Sequence, residues 1–237
     1  VNTAEDVEDY ERASAQLEGK RVLVTAGGTK EPLDLVRYLG NRSSGKMGVA
    51  LAREARRRGA EVTLVAANIS VPAPAGMEVV TAPTASELAR EVLNRDDADV
   101  VVMAAAVADY RPSEPEASKR PKGGEPWSVA LEPTQDVLAE LGRRRRDGQI
   151  LVGFAADAGE SGLERAREKL ANKGGNLFVF NDVSRTDIGF ESDENEIVLI
   201  SARGERRVDR RSKEACAVVI LDEVGALLEE GNGRAAG

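Results

Sequence analysis

Histidine is absent from this chain, so no acid–base or metal chemistry in it can rest on an imidazole. The single cysteine, Cys216, allows no disulfide within the chain, and it sits in the apolar run Ala215 to Leu221, where a thiol reads as a small buried hydrophobe. Aromatic residues make up only 3% while hydrophobic residues reach 41%. The core is therefore built from Val, Leu, Ala and Ile, the usual filling between helices and a parallel sheet. No apolar run approaches the roughly 20 residues of a membrane span, and no signal peptide is recognisable. The expectation is no membrane partner and a cytoplasmic location. Positive charge is also in deficit: the formal net charge is -8, the wrong sign for the basic footprint of bulk nucleic-acid binding. Small-molecule chemistry is the class left.

At 237 residues the chain suits one medium-sized domain. Residues 1–19 are polar and acidic and read as a linker remnant, with the domain over 20–228 and a disordered tail over 229–237. A start at Val1 rather than Met fits an excised piece of something longer. Arg21–Thr25 reads as a buried strand, and the runs Glu61–Ala66, Asp99–Ala105, Ile150–Ala155 and Leu177–Phe180 are short, β-rich and separated by helical patterns. The fold class expected is α/β: a Rossmann-like three-layer sandwich with a mostly parallel central sheet. Glu196–Ser201 and Glu205–Asp209 read as an antiparallel hairpin and Ser212–Glu229 as a closing helix. Thr84-Ala85-Ser86-Glu87 is a capping box before Leu88–Leu93. The long loop Arg111–Pro126, rich in Pro, Gly and charge, reads as disordered in large part and as a candidate lid.

The first strand runs into Gly27-Gly28, where backbone N–H groups can approach an anion with no Cβ in the way, although a plain tight turn needs the same glycines. The G-x-G-x-x-G dinucleotide fingerprint is missing there, which argues against a nicotinamide-dependent oxidoreductase. Gly40 to Lys46 matches G-x-x-x-x-G-K, but Met47 stands where a P-loop needs the Ser or Thr that holds magnesium. What remains is a hydroxyl-rich turn feeding the N-terminus of the helix Lys46–Arg58, a place that favours a phosphate; the rival is an N-capped helix with a solvated lysine. Small residues Ala104, Ala105 and Ala106 after the third strand leave room for a ligand, which Asp109 would face unless it serves as a cap. Lys169 and Lys173 share a face of the helix Glu160–Lys173, suited either to a triphosphate or to surface ion pairs.

Four strings, Ala26–Pro32, Asn41–Gly48, Ala105–Tyr110 and Asn181–Ser184, together resemble the bacterial-type phosphopantothenoylcysteine synthetases in order and spacing, over residues 20 to 228. The resemblance implies a ligase in which CTP activates 4′-phosphopantothenate as an acyl cytidylate and cysteine then displaces CMP. It implies catalytic roles for Asn41, polarising the intermediate, and for Lys119, carried by the closing loop. It places substrate at Arg42, Ser43, Ser44, Gly45, Ala105 and Ala106 as well as Asn41. For the nucleotide it implies Gly27, Gly28, Met103, Ala104, Ala105, Asp109 and Lys119, then Gln135, Asp136, Val137, Leu138, Phe154, Lys169 and Lys173. Magnesium follows as the counter-ion of the triphosphate, with no carboxylate cluster to name its ligands. A homodimer is implied, with the hairpin near Glu196–Asp209 as part of its interface, and so is a flavin-dependent decarboxylase domain N-terminal in the full-length chain. A noncatalytic nucleotide-binding module of the same fold is the rival.

Overall fold

The computed structural model describes residues 15–184 and 192–235. In chain order its strands are β1 (Arg21–Gly27), β2 (Lys30–Pro32), β3 (Tyr38–Gly40), β4 (Glu61–Ala67), β5 (Glu78–Thr81) and β6 (Val100–Met103). They continue as β7 (Tyr110–Pro112), β8 (Leu131–Pro133), β9 (Ile150–Asp157), β10 (Leu177–Asp182), β11 (Glu194–Ser201) and β12 (Gly204–Ser212). Five helices are described: α1 (Lys46–Arg57), α2 (Ala85–Leu93), α3 (Val137–Arg144), α4 (Gly159–Lys173) and α5 (Lys213–Ala235). The main sheet is eight-stranded, in the order β12-β11-β10-β9-β6-β1-β4-β5, and only β11 and β12 run antiparallel to their neighbours. The chain moves outward from β1 to β4 and β5, then returns to place β6 on the other side of β1. The direction of winding therefore reverses between β1 and β6, where an open α/β sheet leaves a crevice at its carboxyl edge.

Alternation along the strands fills two cores. Val22 and Val24 of β1, Val102, Val152 and Val179 face Met47, Leu51 and Ala55 of α1 and Ile220 and Val224 of α5. Leu23, Val101, Leu151 and Phe178 face Leu88 and Val92 of α2, Leu141 of α3 and Leu163 of α4. Gly48 is what lets α1 lie so close to the sheet, since a Cβ there would meet the Thr25 carbonyl oxygen at 2.7 Å. At the far end of α1 the buried Arg58 donates to Glu54 Oε1 at 2.8 Å, to the Val218 carbonyl at 3.0 Å and to Asp222 Oδ1 at 2.8 Å, tying α1 to α5. The capping box of α2 is complete: Glu87 N–H donates to Thr84 Oγ1 at 3.3 Å and Thr84 N–H to Glu87 Oε2 at 3.0 Å.

Several expectations are corrected. The end of the linker belongs to the domain, because Leu17 is fully buried and its N–H donates to the Arg58 carbonyl at 3.0 Å; residues 1–14 lie outside the described residues. The tail is helical through Ala235, since each further helical residue adds a backbone bond at low cost and Glu230 pairs with Arg203 at 3.3 Å. Two short hairpins, β2–β3 and β7–β8, were not foreseen. The loop 111–126 is bound to one of them: Glu116 N–H donates to the Leu33 carbonyl at 3.0 Å and Arg120 N–H to Asp34 Oδ2 at 3.2 Å.

Candidate functional site

A cavity of about 760 Å³ opens at the carboxyl edge of the sheet, at the reversal between β1 and β6. Its floor is the turn after β6, with Met103, Ala104, Ala105, Ala106, Val107 and Asp109 in its wall. Threonines fix that turn: Thr25 Oγ1 accepts Ala105 N–H and Thr29 Oγ1 accepts Ala108 N–H, each at 2.9 Å. Thr134 donates to the Ala108 carbonyl at 2.6 Å, bringing the segment Thr134 to Leu138 alongside.

Gly40 to Gly48 form the second wall. The N-cap of α1 is Gly45, at φ 83°, with no side-chain hydrogen bond to the first-turn amides. The positive end of the helix thus lies in the cavity wall with Gly45 to Gly48, which suits an anionic group. Asn41 is exposed and donates from Nδ2 to the Val107 carbonyl at 3.0 Å, linking the two walls. Lys46 is not simply solvated: it pairs with Asp193 at 2.6 Å and holds that carboxyl below its ordinary range.

The third wall comes from the opposite face of the sheet, where Lys169 and Lys173 of α4 meet Gln135, Asp136, Val137 and Leu138 at the start of α3. Asp136 caps α3 by accepting Ala139 N–H at 3.0 Å and pairs with Lys173 at 2.8 Å. Burial pushes the Asp136 carboxyl up, but the Lys173 and Ala139 hydrogen bonds outweigh it and leave it below the usual range. Phe154 lines the cavity from the α1 face. The residues expected around a nucleotide thus straddle the edge of the sheet.

Three of the expected residues stand elsewhere. Gly27 and Gly28 are not part of the cavity wall; a Cβ on Gly27 would lie 1.9 Å from the Ala67 carbonyl oxygen and one on Gly28 would lie 2.7 Å from that of Asn41. Their glycine character serves close backbone packing, which is the tight-turn alternative. Lys119 is exposed on the loop held by Asp34 and is not in the wall. Conversely, Asn181, Asn195 and Lys213 line the cavity without having been singled out for any role. A signal existed for the two asparagines, since Asn181 directly follows the continuous apolar run Leu177–Phe180 and Asn195 stands just before the run Ile197–Ile200.

Among the described residues no group of three or more His, Cys, Asp or Glu could hold a metal ion, and no helix is long and apolar enough to cross a membrane. Burial raises the Cys216 thiol to about 11.

With this geometry in place, comparison with known proteins is specific. The bifunctional coenzyme A biosynthesis protein CoaBC of Mycolicibacterium smegmatis is 46% identical over 239 residues, covering 94% of this chain and 57% of that protein. The Bacillus subtilis CoaBC is 40% identical over 224 residues, covering 93% of this chain and 54% of that protein. The chain thus spans a little over half the length of these relatives. The crystal structure of a C-terminal domain of CoaBC superposes with a TM-score of 0.77 at 34% identity, covering 92% of this chain and 100% of that one. A Cab2 mutant in complex with phosphopantothenate-cysteine shares the fold with a TM-score of 0.75 at 17% identity. Residues 17–228 match the family described as the DNA/pantothenate metabolism flavoprotein C-terminal domain, and the chain belongs to that family.

Proposed function

We propose that the chain is a phosphopantothenate–cysteine ligase of coenzyme A biosynthesis, using CTP to activate 4′-phosphopantothenate as an acyl cytidylate and passing the acyl group to cysteine. The observation that carries this reading is the single cavity that joins the Gly45-capped N-terminus of α1, with Asn41 to Lys46, to Lys169 and Lys173 of α4 across the β6 turn. Two anionic reactants need two positive surfaces facing one reaction space, and a carboxylate has to be aligned with the α-phosphorus between them. The bifunctional name of the relatives supports the activity, and their greater length supports a flavin-dependent decarboxylase domain N-terminal to this one in the full-length protein. CTP as the nucleotide rests on the matched motifs.

In this reading Lys169 and Lys173 neutralise phosphate oxygens, while Asn41 donates to the acyl oxygen as negative charge develops there. Magnesium, when bound, would shield the charge of the triphosphate, and Asp109 is the cavity carboxylate that could help hold it, since Asp136 is paired with Lys173 at 2.8 Å. Lys119 reaches the nucleotide only when the loop leaves Asp34. A homodimer is part of the proposal, and the exposed Leu35, Tyr38, Tyr110 and Leu131 on the β2–β3 and β7–β8 hairpins suit its interface. The exposed residues of β12 are mainly charged, Glu205, Arg206, Arg207, Asp209 and Arg210 among them, which makes the β11–β12 hairpin the poorer interface. A cytoplasmic location belongs to the same reading.

The test is incubation with magnesium, 4′-phosphopantothenate and cysteine, with CTP or ATP in parallel, following monophosphate and amide by mass spectrometry. CMP with the amide is the expected result. AMP with the amide would replace the nucleotide, and no product from a folded chain would leave the noncatalytic nucleotide-binding module. The variant Asn41→Asp should still release pyrophosphate but form amide about a hundredfold to a thousandfold more slowly.

A further inference from the structure

Asn181, Asn195 and Lys213 meet where the apolar interior of the sheet ends. On β10 the side chains Leu177 and Val179 belong to the core under α1 and α5, and the next position on that face is Asn181. On β11 Leu199 and Ile197 belong to the same core, and the next position is Asn195. Asn181 lies opposite Ile197 in the antiparallel pair, so the two asparagines are diagonal neighbours on one face. They are 7% and 5% exposed, and the Oδ1 of each is buried with no hydrogen-bond partner. Leaving a buried acceptor unmatched is costly, and two together in a cavity wall call for a donor from a ligand.

Lys213 is the third unfavourable placement. It is 3% exposed and opens α5, where the positive end of the helix disfavours a cation. Its Nζ donates to the Ser192 carbonyl, and burial together with the charge of Lys46 brings it down to about 8. Three locally costly choices in one corner of the cavity mark a site built for something it holds. A phosphate offers no donor to the asparagine oxygens. A group with donors beside an anion satisfies both halves, and an α-amino acid carries its ammonium and carboxylate on one carbon.

We propose that Asn181, Asn195 and Lys213 form the subsite for the amino-acid co-substrate, with Lys213 pairing with its carboxylate and the two asparagine oxygens receiving its ammonium. This rests on the ligase reading and deepens it. The subsite holds the amine; in the transfer the nitrogen lone pair forms the new C–N bond. The acyl C–O bond breaks with its electron pair kept by the departing nucleotide monophosphate. The ammonium gives up two protons to water, one before attack and one after.

The test compares cysteine with 2-aminoethanethiol, which has the same amine and thiol but no carboxylate, in the parent chain and in Lys213→Gln, Asn181→Leu and Asn195→Leu. Pyrophosphate release without any amine reports the activation step separately. The parent chain should favour cysteine by roughly tenfold to a hundredfold in kcat/KM, and Lys213→Gln should lose that preference while its pyrophosphate burst persists. Each Asn→Leu variant should raise KM for both amines by roughly tenfold. An unchanged preference in Lys213→Gln, or loss of the pyrophosphate burst in variants whose melting transition is intact, overturns the subsite. If a leucine variant does not fold, Asn195→Ser and Asn181→Ser carry the same comparison. A parent chain that forms amide with neither amine overturns the ligase reading itself.

Discussion

The carboxylate of Asp34 accepts the backbone N–H of Arg120 at 3.2 Å, joining a tight turn to a loop that lies 86 residues further along the chain. Asp34 also accepts the N–H groups of Val36 and Arg37, both at 2.7 Å, and the Arg37 guanidinium at 3.0 Å. Burial alone would push this carboxyl up, but the N–H groups of Arg37, Val36 and Arg120 outweigh it and hold it below its ordinary range. The guanidinium groups of Arg37 and Arg120 both lie over the ring of Trp127, with their central carbons 5.3 and 5.1 Å from its centroid. The loop carrying Lys119 is therefore held on the β2–β3 hairpin, and any movement of it away from that hairpin has to break these contacts. Asp34→Ala should release the loop. Limited trypsin cleavage after Lys119 and Lys122 should quicken by about tenfold or more, because digestion follows the population of the open segment. Unchanged cleavage would show that Asp34 does not hold the loop.

Lys173 pairs with Asp136 at 2.8 Å, which places its charge at the start of α3; in the ligase reading it faces the nucleotide. Lys173→Met should raise the nucleotide KM by about tenfold to a hundredfold, the worth of one charge-assisted contact, with a smaller change in kcat. The cap of α3 survives because Asp136 still accepts Ala139 N–H. Steady-state kinetics in varied CTP measures this. An unchanged KM would take Lys173 out of the nucleotide site.

The difference between what was legible in the sequence and what was not lies in how each residue's environment is made. The Val-rich strands and the capping box of α2 announce themselves because a local pattern is enough to determine them. Strands β2, β3, β7 and β8 have three residues each, too few to show alternation, and Tyr38 and Tyr110 on them face outward. The start of α1 in the cavity wall was legible through its Gly and Ser composition, whereas Gly27 and Gly28 could not be told from a ligand loop without seeing Ala67 and Asn41 against them. Nothing in the local sequence around Lys213 marks it out. Only the packing of β11 and α5 beside α1 buries it, and that arrangement is set by the whole sheet.

Cys216 should behave as part of the core. It is fully buried, its Sγ donates to the Asn195 carbonyl at 3.7 Å, and burial raises its thiol to about 11. Almost no thiolate then exists at neutral pH, and reagent cannot reach the sulfur without an opening of the fold. A disulfide reagent that releases a coloured thiolate should react negligibly over minutes with the native chain and with one thiol per chain after denaturation. Full native labelling within seconds would show that the α5 region opens readily.

Lys213 gives stability a pH dependence whose sign can be worked out. Its ordinary value is 10.5 and burial lowers it to about 8 in the fold, so between those values the unfolded chain binds more protons at this residue than the folded one. Stability from this group therefore rises with pH across that window, by at most about 1.4 kcal/mol per pH unit. Below pH 8 the lysine is charged in both states and its burial cost is fully present. Replacing it in Lys213→Met removes the charge without removing the buried stem. The variant should exceed the parent in stability at pH 7, and its advantage should shrink as pH rises from 8 toward 10.5, with contributions from other groups cancelling in the difference. Urea unfolding of both chains at pH 7, 8, 9 and 10 reads this directly. A stability difference that stays flat over that range would mean that Lys213 keeps its ordinary proton affinity despite its burial, with the Ser192 carbonyl and its other surroundings compensating for the lost water.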